Sequence, residues 1–132
     1  MKKIVTVIII TAFMLLTLAS CETVDVSGAD KVKINYDYEG TLVSAEIDAN
    51  NAVVIVNNVH GCEIKKDEPK DAKFVDGVYF EISGTRFYID LNGGESLKVD
   101  DKGYIHVEKY KLEAMMSVFQ TYGVNPYLNS LA

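Results

Sequence analysis

The sequence is poor in basic charge, histidine and cysteine, and each shortage closes a class of function. Thirteen Lys and Arg stand against nineteen Asp and Glu, a net charge of −6. Past the first few residues the one basic doublet, Lys65-Lys66, lies between Glu63 and Asp67-Glu68. Nucleic-acid binding needs a positive footprint to neutralise phosphates, so no nucleic-acid partner is expected. The two histidines (His60, His106) and Cys62 make only three ligands, which cannot complete a four-ligand zinc set without carboxylates, and the His60-x-Cys62 spacing matches no zinc motif. No metal or cofactor is therefore expected. Gly-x-Ser-x-Gly, His-Glu-x-x-His and Cys-x-x-Cys are all absent. The apolar run at residues 4–18 is shorter than the roughly 20 residues a membrane-crossing helix needs. No internal repeat or low-complexity segment is present.

What that N-terminal stretch does have is an order. Lys2 and Lys3 come first, the apolar run follows, and small residues lead into Leu18-Ala19-Ser20-Cys21. This layout resembles the export signal of bacterial lipoproteins, with Leu at −3, Ala and Ser at −2 and −1, and Cys at +1 of the lipobox. The resemblance covers the first 21 residues. It implies a diacylglycerol (palmitate-type) anchor on the Cys21 sulfur, cleavage before Cys21, and a place in the cell envelope on the exported face of the membrane. Two or more acyl chains hold a protein stably where one does so only marginally. Glu22 is not the Asp that in some bacteria marks inner-membrane retention, so the envelope layer stays open. Loss of Lys2 and Lys3 takes the net charge to about −8, and the anchor must then be covalent, because an acidic domain does not adsorb to anionic lipid. With Cys21 lipidated, Cys62 has no partner; were Cys21 a free thiol, a Cys21–Cys62 bridge would become possible.

The remaining 112 residues suit one domain. Residues 22–30 (ETVDVSGAD) read as a short polar tether, reaching at most about 30 Å. Residues 31–38 alternate strictly, with Val32, Ile34, Tyr36 and Tyr38 on one side, which predicts a half-buried strand. Residues 41–47 could pair with it across Glu39-Gly40. The segment 48–60 is read as a helix capped by Asp48, with Ala49, Ala52, Val53, Val56 and Val59 in helical spacing and Gly61 beyond its end. Its β-branched run, residues 52–56, argues for a strand instead. Residues 63–72 form a charged loop containing Pro69.

Two hairpins follow within 78–107. Residues 78–82 and 85–91 meet at Ser83-Gly84, and 96–99 and 103–107 meet around Asp100-Asp101-Lys102. Val78, Phe80, Ile82, Phe87, Ile89 and Leu91 would supply the core, with Glu81 and Arg86 paired on the other face. A C-terminal helix at 110–122 presents Leu112, Met115, Met116 and Phe119, and 124–132 is a tail. The sum is an α+β domain over 31–123, an antiparallel sheet of about five strands with helices on one face.

Candidate chemistry is sparse. Cys62 with His60 or His106 could form a nucleophile pair. Acidic turns at Asp48, Asp90 and Glu95, and Asp100-Asp101 lack the spacing of a calcium loop. Tyr79 and Tyr88 fall on the face opposite the core set, where tyrosine offers a large contact area for a protein or saccharide partner. The expectation is a membrane-anchored, non-catalytic binding module with Tyr79 and Tyr88 on its surface. The alternative is a small thiol-dependent envelope enzyme built on Cys62.

Overall fold

A computed structural model describes residues 22–126. Cys21, the signal-like stretch before it and residues 127–132 of the tail lie outside the described residues. None of the described helices is long and apolar enough to cross a membrane.

The fold is mixed α+β: a six-stranded, open antiparallel sheet with two helices. The strands are β1 (Lys31–Tyr38), β2 (Thr41–Asp48), β3 (Val78–Ile82), β4 (Thr85–Ile89), β5 (Ser96–Val99) and β6 (Gly103–His106), in the order β2-β1-β3-β4-β5-β6. The expected count of about five is corrected to six by β2. Its pairing runs from Tyr38↔Thr41 to Lys31↔Asp48. Glu39 (φ 50) and Gly40 (φ 84) make the turn, and Ser83 (φ 52) with Gly84 (φ 81) repeats the same backbone between β3 and β4. Two consecutive left-handed residues match the right-handed twist of the flanking strands, which fixes the register at both hairpins.

Strand alternation then sorts the side chains onto two faces. Val32 and Ile34 of β1, Val78, Phe80 and Ile82 of β3, and Phe87 and Ile89 of β4 are fully buried, as Leu91 is just beyond β4. Phe80 and Phe87, opposite each other in register, stack with centroids 5.1 Å apart. Against this face lie α1 (Val53–Val59) and α2 (Lys109–Thr121), side by side. Leu112, Met115, Met116 and Phe119 of α2 are buried at the predicted spacing.

α1 is shorter than the expected 48–60 helix. Asp48 ends β2 rather than capping α1, and the turn between them is closed by the amides of Asn51 and Ala52 on the Asp48 carbonyl. The helix start at Ala52 has no side-chain cap. Its β-branched sequence gives it little helical propensity. What holds it is packing: Ala52, Ile55 and Val59 are fully buried on the core.

The segment 22–30 is also corrected. It is not a free tether but part of the domain. Val24 and Val26 are 5% and 2% exposed. The Val24 amide donates to the Cys62 carbonyl at 2.9 Å, and the Val24 carbonyl accepts from Gly61 N at 2.8 Å. Burying two valines in this way contributes on the order of 3 kcal/mol, which together with the backbone hydrogen bonds works against the entropy cost of ordering the segment. At the other end Val124 and Pro126 are buried, so the first residues beyond α2 are packed as well.

Candidate functional site

Among the described residues, the second face of the sheet carries no helix. Register places Lys33 and Asn35 of β1, Tyr79 and Glu81 of β3, Arg86 and Tyr88 of β4, Lys98 of β5 and Tyr104 of β6 on it. A strap made by residues 65–77 crosses this face. It leaves the β6 edge, where Lys65 exchanges two backbone hydrogen bonds with Tyr104 (2.8 and 2.7 Å). Phe74 then rests on the Tyr104 ring, centroids 5.7 Å apart. Farther on, the Gly77 carbonyl accepts from Asn35 Nδ2 at 2.7 Å and from Asp37 N at 3.0 Å. Gly103 is required where the strap meets the sheet. A Cβ there would fall on the Lys65 carbonyl, and its φ of 149° disfavours any side chain.

Asp90 fixes the middle of the strap. It is 3% exposed; its Oδ1 accepts from the amides of Lys73 (3.0 Å) and Asn92 (2.9 Å), and its Oδ2 from Gly94 N at 3.1 Å. The Leu91 amide returns a bond to the Lys73 carbonyl at 2.9 Å. The Lys73 ammonium donates to the Tyr38 hydroxyl at 2.9 Å, which raises the lysine pKa. A buried carboxylate with three amide donors is fully satisfied, so Asp90 serves as a latch between the strap and the turn after β4.

Between strap and sheet lies a cleft of about 440 Å³, walled by Phe74, Val75 and Tyr88 and edged by Lys98, Asp76, Asp100 and Asp101. A smaller hollow of about 190 Å³ adjoins it, where Lys66, Lys102 and Tyr104 meet Lys98 and Asp101. Asp100 is partly engaged, its Oδ1 accepting from Arg86 N at 3.2 Å. The cleft therefore combines aromatic walls with an ammonium and two exposed carboxylates, Asp76 and Asp101. Such a set can stack on a ligand and hydrogen-bond its polar groups.

The two predicted tyrosines part company here. Tyr79 is 5% exposed, because the Arg86 guanidinium sits 4.4 Å above its ring. Arg86 is held there by Glu81 (Nε to Oε1, 3.1 Å), its partner in register. The bonds to Glu81 and then Tyr88 push the guanidinium pKa further up. Tyr79 is thus removed from the expected surface by its own neighbours. Tyr88 is half-buried, tilted against Tyr79 at 5.7 Å, with Lys98 Nζ 5.8 Å from its ring, and it walls the cleft.

Cys62 and His60 each hydrogen-bond to a backbone group. Cys62 Sγ donates to the Asn58 carbonyl at 3.3 Å, and burial pushes the thiol pKa up, partly offset by Lys111. His60 Nδ1 accepts from Val26 N at 3.2 Å, so that nitrogen is committed to the backbone. His106 is exposed on β6, opposite Ser96. Among the described residues no group of three or more His, Cys, Asp or Glu side chains is placed to hold a metal ion.

Phe74, Asp76 and Lys98 escape sequence reasoning. The one signal is Phe74-Val75, an apolar pair just beyond a run of charge, which is hard to place unless the segment folds back on the sheet. No protein-family model matches the chain, and neither the curated proteins nor the solved structures give a match.

Proposed function

We propose that the chain is a lipid-anchored, non-catalytic binding module of the bacterial cell envelope. In this reading Cys21 carries the lipid on the exported face of the membrane, and a protein or saccharide partner is held in the cleft between the strap and the sheet. The lipobox Leu18-Ala19-Ser20-Cys21 supports the anchor. The observation that carries the binding role is the cleft itself, with Tyr88 and Phe74 as its walls and Lys98, Asp76 and Asp101 at its rim. Aromatic faces flanked by a few convergent polar groups are what ligand sites use for contact area and orientation. None of the lining residues is His, Cys or Ser, so the reading places no Cys–His or Ser–His pair in the cleft. The thiol-enzyme alternative gains nothing from the geometry, since Cys62 is partnered by a backbone carbonyl and its raised pKa holds it as a thiol.

Two measurements test the reading. Intact mass of the protein extracted from membranes, with and without the lipoprotein signal peptidase inhibitor globomycin, reports whether Cys21 is acylated. NMR shift mapping of the soluble domain against soluble peptidoglycan fragments and against envelope protein fractions reports the site. Shifts clustered on Phe74, Tyr88 and Lys98, and lost in Tyr88→Ala, support the cleft; shifts clustered elsewhere sink it.

A further inference from the structure

We infer that the anchor leaves this domain no slack, so that it stands on the bilayer in one orientation, β6 edge down, with the rim around Glu22, Lys66 and Lys102 against the lipid headgroups. The inference rests on the anchored reading of Cys21. After cleavage the acylated residue would be joined to Glu22 by one peptide bond, and Glu22 already belongs to the fold. Its carbonyl accepts from Ile64 N at 2.8 Å, and its carboxylate lies 3.9 Å from Lys102 Nζ. Thr23 pairs with Glu63, Val24 is bonded to Gly61 and Cys62, and Val26 N donates to His60. A segment that could have extended about 30 Å is therefore consumed by pairing. The acyl chains must emerge within a residue or two of the Glu22 backbone.

That point lies at one edge of the sheet. Ile64, which holds Glu22, precedes Lys65, which pairs with Tyr104 on β6. The opposite edge, β2, is five inter-strand spacings away, roughly 24 Å. The mature chain is strongly acidic, and an anionic surface would repel most of it. At this rim Lys65, Lys66 and Lys102 offset Glu22, Glu63 and Asp101, but Asp67 and Glu68 follow Lys66, so the contact is held by the covalent anchor and not by charge. The cleft under the strap, which spans β4 to β6, would then open sideways just above the headgroups. Its partner would have to be met close to the membrane.

The test uses the full lipidated protein in vesicles of phosphatidylcholine and phosphatidylglycerol, with a nitroxide on the headgroup of a dopant lipid. In a Cys62→Ser background, a fluorophore is placed at Lys66→Cys on the rim or at Leu42→Cys on β2, where Leu42 is 68% exposed. Asp101→Cys, on the same rim, replaces Lys66→Cys should that variant not fold. Given the difference in height, headgroup quenching at the rim should exceed that at residue 42 by about threefold or more. A flexible Gly-Ser insert between Cys21 and Glu22 should erase the difference. Equal quenching at both positions, in protein whose mass shows a lipidated Cys21, overturns the orientation and leaves the anchor standing. A mature mass without lipid overturns both.

Discussion

Replacing Asp90 should loosen the strap and lower the stability of the whole domain. Asp90 is 3% exposed and takes three amide hydrogen bonds at 2.9–3.1 Å. Bonds to a charged group contribute about 1.5–3 kcal/mol each when intact. Lys73 and Asn92 are exposed residues, however, so their amides regain water once the carboxylate is gone and part of that energy returns. Asp90→Asn keeps the shape and one acceptor oxygen, but turns an NH₂ toward the Gly94 amide and removes the charge. Its cost is about 2 kcal/mol, and that of Asp90→Ala about 3 kcal/mol. For a domain near 100 residues each kcal/mol moves Tm by about 4–8 °C, so the asparagine variant should melt roughly 8–16 °C lower. Urea and thermal unfolding followed by circular dichroism give the two numbers. Trypsin digestion at Lys70 and Lys73 gives a local reading, which should rise beyond what global unfolding explains. If Asp90→Ala stays within about 0.5 kcal/mol of the parent, the latch does not hold the strap and the reasoning fails.

Three further outcomes follow from the same geometry. Val24→Ala with Val26→Ala should lower unfolding free energy by about 3 kcal/mol in urea titrations, because both side chains lie in the core; a free tether would give no change. A double-mutant cycle on Phe74→Ala and Tyr104→Ala should return about 0.5–1.5 kcal/mol of coupling, and a coupling of zero would mean the strap does not rest on the sheet through these rings. Burial raises the Cys62 pKa above its ordinary value of 9.0, so the folded chain holds the thiol proton more tightly than the unfolded one. The resulting stability is complete below that value and is lost as pH rises through the folded pKa. Urea midpoints from neutral pH to about 10.5 should therefore fall more steeply in the parent than in Cys62→Ser, and parallel slopes would remove burial as the cause.

Features that depend on neighbours in sequence are legible in the sequence itself. β1 shows itself by alternation, the β3–β4 hairpin by Ser83-Gly84 between alternating strands, and α2 by Leu112, Met115, Met116 and Phe119. Each of these is a period or a turn written in consecutive residues. β2 gives a fainter signal because it is an edge strand exposed on both sides: Val43, Ala45 and Ile47 are only half-buried and Leu42 faces solvent. The α1 segment sets propensity against packing, and packing prevails through Ile55 and Val59. Residues 22–26 and 65–77 look like free chain for a different reason. Their fixing contacts run across long sequence separations, backbone to backbone at Val24 and Lys65 and through single side chains at Asn35, Phe74 and Asp90, so no local period records them. Alternation places Tyr79 on the correct face, but it does not reveal that the Arg86 side chain folds over the ring.

The cleft and Glu22 are joined by one short segment. Residues 61–65 bond on one side to Val24 and Glu22 and on the other to Tyr104, so a single backbone stretch ties the N-terminal residues to β6. The Tyr104 ring carries Phe74, which walls the cleft. Every link in this chain is a hydrogen bond between backbones or a packed ring pair, with no flexible side chain between. The cleft therefore sits at a fixed offset from Glu22. Variants that loosen residues 61–65 should alter its position relative to the N-terminus before they alter its walls. Loosening the strap at Asp90 should do the reverse, changing the walls while the 61–65 junction stays intact. That separation gives a way to tell a loss of binding caused by misplacement of the cleft from one caused by damage to its lining.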